Sequence, residues 1–168
     1  MRKFFGFAYE FVPRWALPFK PIASALARVT VGWVFVTTGW GKLNNLPDIV
    51  AYFAELGIPY PELQAPFVAT IELVCGALVL AGLFTRLASI PLIGTMIVAI
   101  ATAQWPQVDS LATLLGLVES LYIVVFAYLA TDGAGPLSLD ALVKRAVDSH
   151  QSEVAQSTLA AAPLPRRA

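Results

Sequence analysis

Four stretches of this chain stay apolar for close to the ~20 residues that an α-helix needs to cross ~30 Å of hydrocarbon. They run from about Ile22 to Gly41, Ala65 to Phe84, Leu87 to Ala103 and Leu111 to Leu129. Backbone in lipid must satisfy its own hydrogen bonds, so runs of this length point to an all-α, integral membrane four-helix bundle. Composition agrees, with 58% of the 168 residues apolar and only 13% charged. A soluble domain carries roughly 25% charged residues. Mean hydropathy is +0.71. The third stretch is the shortest and contains Pro91, so a kinked or tilted span is expected there.

The connections set the topology. Residues 42–64 are polar and rich in Pro and Gly, with Asp48, Glu55 and Glu62. Within them Pro47 to Leu56 reads as a short surface helix stopped by Gly57, with Pro59 and Pro61 beyond. Only Thr85 and Arg86 separate the second and third stretches, which forces an antiparallel hairpin. Gln104 to Ser110 joins the third stretch to the fourth. Arg2, Lys3, Arg14 and Lys20 precede the first span, Arg86 lies in the hairpin turn, and Lys144, Arg145, Arg166 and Arg167 follow the fourth span. With four spans all of these fall on one side. The positive-inside rule then places both termini in the cytoplasm, in a bacterial inner membrane, with Arg86 as a topology anchor. Trp40 and Trp105 fit an outer interfacial belt.

Residues 1–21 read as an interfacial segment, with Phe4, Phe5, Phe7, Phe11 and Trp15 beside basic residues; a loosely ordered tail fits equally well. Glu10, Pro13, Arg14 and Pro18 interrupt the apolar core that a signal peptide would need. The membrane domain is expected over 22–147. Its last part is a turn at Asp132 to Pro136 and a short interfacial helix, capped by Ser138 or Asp140 and running through Arg145. Leu139, Leu142 and Val143 give that helix an apolar face. Residues 148–168 are small, polar and Pro-containing, and are expected to be disordered.

The net charge of zero marks no nucleic-acid binder. A single cysteine, Cys75, and a single histidine, His150, cannot between them build a haem, zinc or iron–sulfur site, so no metal site is expected. Cys75 reads as a packing residue.

The chemistry-bearing residues are the charges inside the spans: Arg28, Glu72 and Glu119. A charge near the bilayer centre costs roughly 2.5–3.5 kcal/mol and normally faces the bundle interior. Helical spacing supports that direction. Arg28, Gly32, Phe35, Gly39 and Lys42 form one stripe; Ala69, Glu72, Gly76, Val79, Leu83 and Arg86 form a second; Ala112, Gly116, Glu119, Ile123 and Phe126 form a third. Each stripe joins a charge to glycines, which let helices approach closely in lipid. The three charges are therefore expected to point at one another, with Arg28 reaching Glu119. Two carboxylates in low dielectric resist ionising together, so one is expected to hold a proton. Lys42 offsets the second or snorkels to water. Tyr122, one turn after Glu119, either hydrogen-bonds into this centre or simply packs. Two readings stay open: a buried pair that fixes helix register, or a polar pocket for a small molecule or proton relay.

The sequence resembles the DoxX family of small four-helix membrane proteins. The resemblance rests on Arg28-Val-Thr-Val-Gly32-Trp-Val-Phe35-Val-Thr-Thr-Gly39-Trp-Gly-Lys42 and on Glu72-Leu-Val-Cys-Gly76-Ala-Leu-Val-Leu-Ala-Gly82-Leu-Phe-Thr85-Arg86. Glu119 matches an acidic residue of the fourth helix, and Gly133-Ala-Gly-Pro-Leu-Ser138-Leu-Asp140 is similar to the closing turn, with glycine and proline in altered order. The resemblance covers roughly residues 22–145. It implies a four-helix inner-membrane protein, with relatives in quinone-linked sulfur oxidation, thiol and oxidative-stress complexes, and beside genes for modified metal-binding peptides. Three functions follow as expectations. The first is a membrane subunit of an oxidoreductase or redox-stress system, working with a membrane or periplasmic redox partner and binding a quinone at Arg28, Glu72 and Glu119, with no intrinsic cofactor. The second is a non-catalytic scaffold in the lipid bilayer. The third is a small-molecule permease, for which a homodimer would open a path.

Overall fold

The computed structural model describes residues 19–161, and every regular element among them is helical. Helix α1 (Lys20–Asn44) begins with Pro21 in its first turn, where the missing N–H costs nothing, and ends with Lys42 against its negative dipole end. Helix α2 (Leu46–Glu55) starts on Pro47 and Asp48 and is stopped by Gly57, whose φ of 71° is left-handed. Helix α3 (Pro61–Ala81) starts on Pro61 and Glu62 and closes on Gly82 at φ 72°. Helix α4 (Thr85–Ala99) runs through Pro91, then widens into a π-helix over Ile100–Gln104 and tightens into a 3₁₀ turn over Trp105–Gln107. Helices α5 (Leu111–Gly116) and α6 (Val118–Asp132) follow, and α7 (Leu139–Ala161) ends the described region. The interfacial reading of the N-terminal segment falls almost wholly outside the described residues.

Among the described residues three helices are long and apolar enough to cross a bilayer: Pro21–Asn44, Pro61–Ala81 and Thr85–Gln107. The fourth apolar stretch is not one helix. Leu117 is extended, with ψ 142°, and splits it into α5 and α6. The Ser120 hydroxyl donates to the Leu114 carbonyl at 2.6 Å, supplying a partner that the break removes. The expected third stripe fails for this reason. Phe126 is buried, but the break turns Ala112 and Gly116 outward.

The helices associate as two pairs, α1 with α3 and α4 with α6, joined through α3–α4 and α1–α6 contacts. The first pair is glycine-seamed. A Cβ on Gly32 would stand 2.7 Å from the Leu80 backbone nitrogen, one on Gly76 would stand 2.9 Å from the Phe35 Cβ, and Gly39 lies hard against Leu73. The backbones thus touch where lipid offers no hydrophobic drive for association, and packing supplies it instead. Val31, Phe35, Val79, Ala88, Leu92, Met96, Phe126 and Leu129 fill the centre between the pairs. Outside, Val29, Trp33, Phe67, Val74, Ile90, Ile97, Leu121 and Val124 are exposed around all sides, a surface suited to acyl chains.

The C-terminal region departs from expectation. The helix after the closing turn is long, and residues 148–161, expected to be disordered, continue it. Ala, Glu, Gln and Leu in this stretch are strong helix formers, enough to extend a helix already nucleated and capped. Ser138 is the cap: its Oγ accepts from the Ala141 N–H at 3.2 Å. Asp140 is not, since its carboxylate accepts from the Phe84 N–H at 3.2 Å and ties the turn to the α3–α4 corner.

Candidate functional site

The charges expected to meet are separated into two places. Arg28 is 5% exposed and sits near the start of α1. Its guanidinium donates to the Ala134 carbonyl at 3.1 Å and the Leu137 carbonyl at 2.6 Å. These carbonyls belong to the irregular turn between α6 and α7, which has no ladder of its own to satisfy them. The Asp140 N–H donates to the Gly82 carbonyl at 3.0 Å, docking that turn against the end of α3. Gly82 must be glycine here, because a Cβ would collide with the Arg28 guanidinium and the residue is left-handed as well. Arg28 therefore fastens one end of the molecule and does not reach Glu119. Arg86 is exposed at this same end, 3.5 Å from the Asp132 carbonyl.

The other end holds the second cluster. Fourteen residues of α-helix separate Lys42 from Arg28, about 21 Å at a rise of about 1.5 Å. There the Lys42 Nζ donates to the Glu72 Oε1 at 2.6 Å, an ion pair in which Glu72 is 2% exposed and Lys42 29%. The glycine seam sets this up: α1 and α3 run so close that residues one turn from Gly39 and Gly76 face each other. Across from them, Gln104 Nε2 donates to the Glu119 Oε1 at 3.1 Å. Glu119 is in the first turn of α6, where the positive helix end favours a carboxylate. Tyr122, one turn on, packs edge-on to Phe35 with ring centroids 5.3 Å apart.

Both pairs line one cavity of about 650 Å³ between the two helix pairs. That volume is in the range of sites for small organic ligands, roughly 300–1,000 Å³. Its walls are largely apolar and aromatic, including Phe35, Phe53, Phe67, Ile71, Met96 and Tyr122, with Thr38 and Thr102 as further polar points. Helix α2 covers one end, contributing Ile49, Tyr52 and Phe53. Glu72 and Glu119 thus share a chamber with Lys42 and Tyr122, while Arg28 is outside it.

Gln104 was the residue that sequence reasoning missed, since it reads there as the first residue of a loop. The π-turn lengthens α4 past its apolar stretch and carries this amide to Glu119. Such turns are frequent at functional sites, and Pro106 shortly after is the one local signal, because it cannot continue the backbone ladder.

The chain is similar to several known proteins. It is 32% identical over 124 residues to a Bacillus subtilis protein named "Putative oxidoreductase CatD", covering 73% of this chain and 87% of that one. The Escherichia coli inner membrane protein YphA is 33% identical over 67 residues, 40% of this chain and 48% of its own. A second Escherichia coli inner membrane protein, YqjF, is 24% identical over 126 residues, 75% of this chain and 95% of its own. No solved structure matches. The DoxX family profile matches residues 23–105, which include Arg28, Lys42, Glu72 and Gln104 and stop short of Glu119. With its apolar helices and its likeness to inner membrane proteins, one of them over three quarters of its length, this chain is a membrane protein and belongs to the DoxX family.

Proposed function

We propose that the protein is a four-span subunit of an oxidoreductase or redox-stress system in the bacterial inner membrane, holding a quinone-like carrier in the chamber of Lys42, Glu72, Gln104 and Glu119. Both termini lie in the cytoplasm, and α5 with α6 forms the broken fourth span. The observation that carries this reading is an apolar chamber of about 650 Å³ holding the buried Glu72 carboxylate, ion-paired to a half-buried Lys42, and a second, amide-bonded carboxyl group. Buried charges in membrane spans are functional by default. An aromatic head group fits between Phe35, Phe53 and Tyr122, and an isoprenoid-like tail leaves past the exposed Phe67 and Val98 into lipid.

A quinone supplies two-electron, two-proton redox chemistry when bound. The chain's own residues do the remainder. The Lys42 ammonium has hydrogens beyond the one given to Glu72 and can donate to a ring oxygen. Glu72 and Glu119 are placed to hold or pass the accompanying protons. Electrons are exchanged with a partner protein in the membrane or periplasm. The CatD name supports an oxidoreductase setting, and the clustering of Lys and Arg in alternate connections supports the orientation.

The test is extraction and binding. Lipid extracts of protein purified from its native membrane should contain a quinone, and added short-tail quinone should raise the melting temperature. Lys42→Met should abolish the shift. No quinone in the extract together with no shift would overturn the proposal.

A second reading, a small-molecule permease, draws on the split at Leu117, because discontinuous helices beside charged groups are a transporter device. The packed cluster around Phe126 and Leu129 closes the Arg28 end, so this reading requires that core to open. Substrate flux into proteoliposomes would separate the two.

A further inference from the structure

Each carboxyl group of the chamber uses one oxygen on a neighbour and leaves the other buried with no hydrogen-bond partner. These are Oε2 of Glu72 and Oε2 of Glu119. Their partnered oxygens face Lys42 and Gln104. In its ionised form a carboxyl oxygen only accepts, so what each place then lacks is a donor. Both residues line the chamber, and the last torsion of a glutamate side chain is broad, so neither unused oxygen is locked in its present direction. A quinone offers only acceptor oxygens to these two positions. A ring bearing two hydroxyl groups offers a donor to each. A cationic ligand is less suited, since the Lys42 ammonium would repel it at the Glu72 wall.

We infer that the chamber selects the reduced, dihydroxy form of its carrier: a quinol-type ring whose two hydroxyls donate to the unused oxygens of Glu72 and Glu119. This rests on the carrier-binding reading above. Such a site favours the state that arrives with protons on its ring oxygens, so it belongs on the side of a redox system where quinol is taken up. Sites built to bond a hydroxyl discriminate strongly against analogues that lack it, since the partner is then left buried and unpaired.

The experiment measures binding of three probes to the full chain in nanodiscs. They are a decyl hydroquinone kept reduced, the matching decyl quinone, and the dimethyl ether of the hydroquinone, which keeps the ring and loses both donors. The hydroquinone should bind at least about tenfold tighter than either of the others. Glu119→Gln and Glu72→Gln should each narrow that preference to within about threefold. Equal or tighter binding of the quinone overturns the inference and leaves the carrier-binding proposal standing. Equal binding of the ether overturns it too, because apolar packing alone would then explain affinity. Absence of binding by all three removes both. A preference that survives both substitutions overturns the assignment to these carboxyl groups. Should either variant fail to fold, the three probes on the unaltered chain still decide.

Discussion

At the scale of single residues, Arg28 shows how a charge in a membrane span can serve backbone. It bonds two carbonyls of a turn that no helix can satisfy. Replacing it by Met leaves both carbonyls unpaired, at roughly 1–3 kcal/mol each. Arg28→Met should lower stability in detergent by about 3 kcal/mol, read from thermal or denaturant melts, while leaving chamber ligands bound in the surviving folded fraction. Arg28→Lys should recover less than half, because an ammonium lacks the planar fork. A second residue-scale case is Asp109, outside the spans. The Thr113 hydroxyl, then a backbone N–H and Ser110, hold its carboxyl below the ordinary value. Its contribution to the start of α5 is therefore complete above the ordinary carboxylate pKa of about 4 and is lost as pH falls through the lower folded value. The Thr113 amide signal, followed by NMR, should change only in that acid range, and Asp109→Asn should remove the titration. The sequence showed that Arg28 must be buried and partnered but named the wrong partner. Side-chain spacing reports which face a residue occupies, and carries no information about unpaired carbonyls in a turn more than a hundred residues away.

At the scale of elements, the stripes of α1 and α3 were legible because an unbroken helix keeps its phase. Gly32, Phe35, Gly39, Glu72, Gly76 and Val79 are all buried. The phase of the fourth stretch was lost at Leu117, where no proline or charge announces the break. Gly116, just before it, is the only weak signal. The lengthening of α4 was hidden for a similar reason: π-turns leave no periodic mark in the residues that form them. The glycine seam makes a direct prediction. Gly39→Ala should push α3 away at Leu73 and cost about 1–3 kcal/mol. It should also loosen the Lys42–Glu72 pair one turn away and weaken ligand binding. Gly41 has open space around its Cβ position and is off the chamber wall, so Gly41→Ala should be tolerated, which makes it the control. Ala99→Trp, on the chamber wall, should fill the space and abolish ligand-induced thermal shifts with the fold intact.

At the scale of the whole molecule, the proposed orientation can be read with cysteine labelling. Cys75 is the single native cysteine and can be replaced. Asp48→Cys on α2 should react with an impermeant thiol reagent added to intact spheroplasts, and Asp148→Cys on α7 only after lysis. Reaction of both before lysis would reject a shared cytoplasmic side for the termini. The two ends of the bundle also differ mechanically. One is fastened by Arg28 and the docked turn, the other holds the chamber beneath α2, and the packed core lies between them. Any opening of such a body would turn about its fastened end, like a clothes-peg. Widening for a ligand would then displace lipid in one leaflet only, and the work of opening would be set by the lateral pressure of that leaflet. Affinity for a carrier should accordingly follow the composition of the leaflet around the chamber, making the membrane itself part of the binding equilibrium.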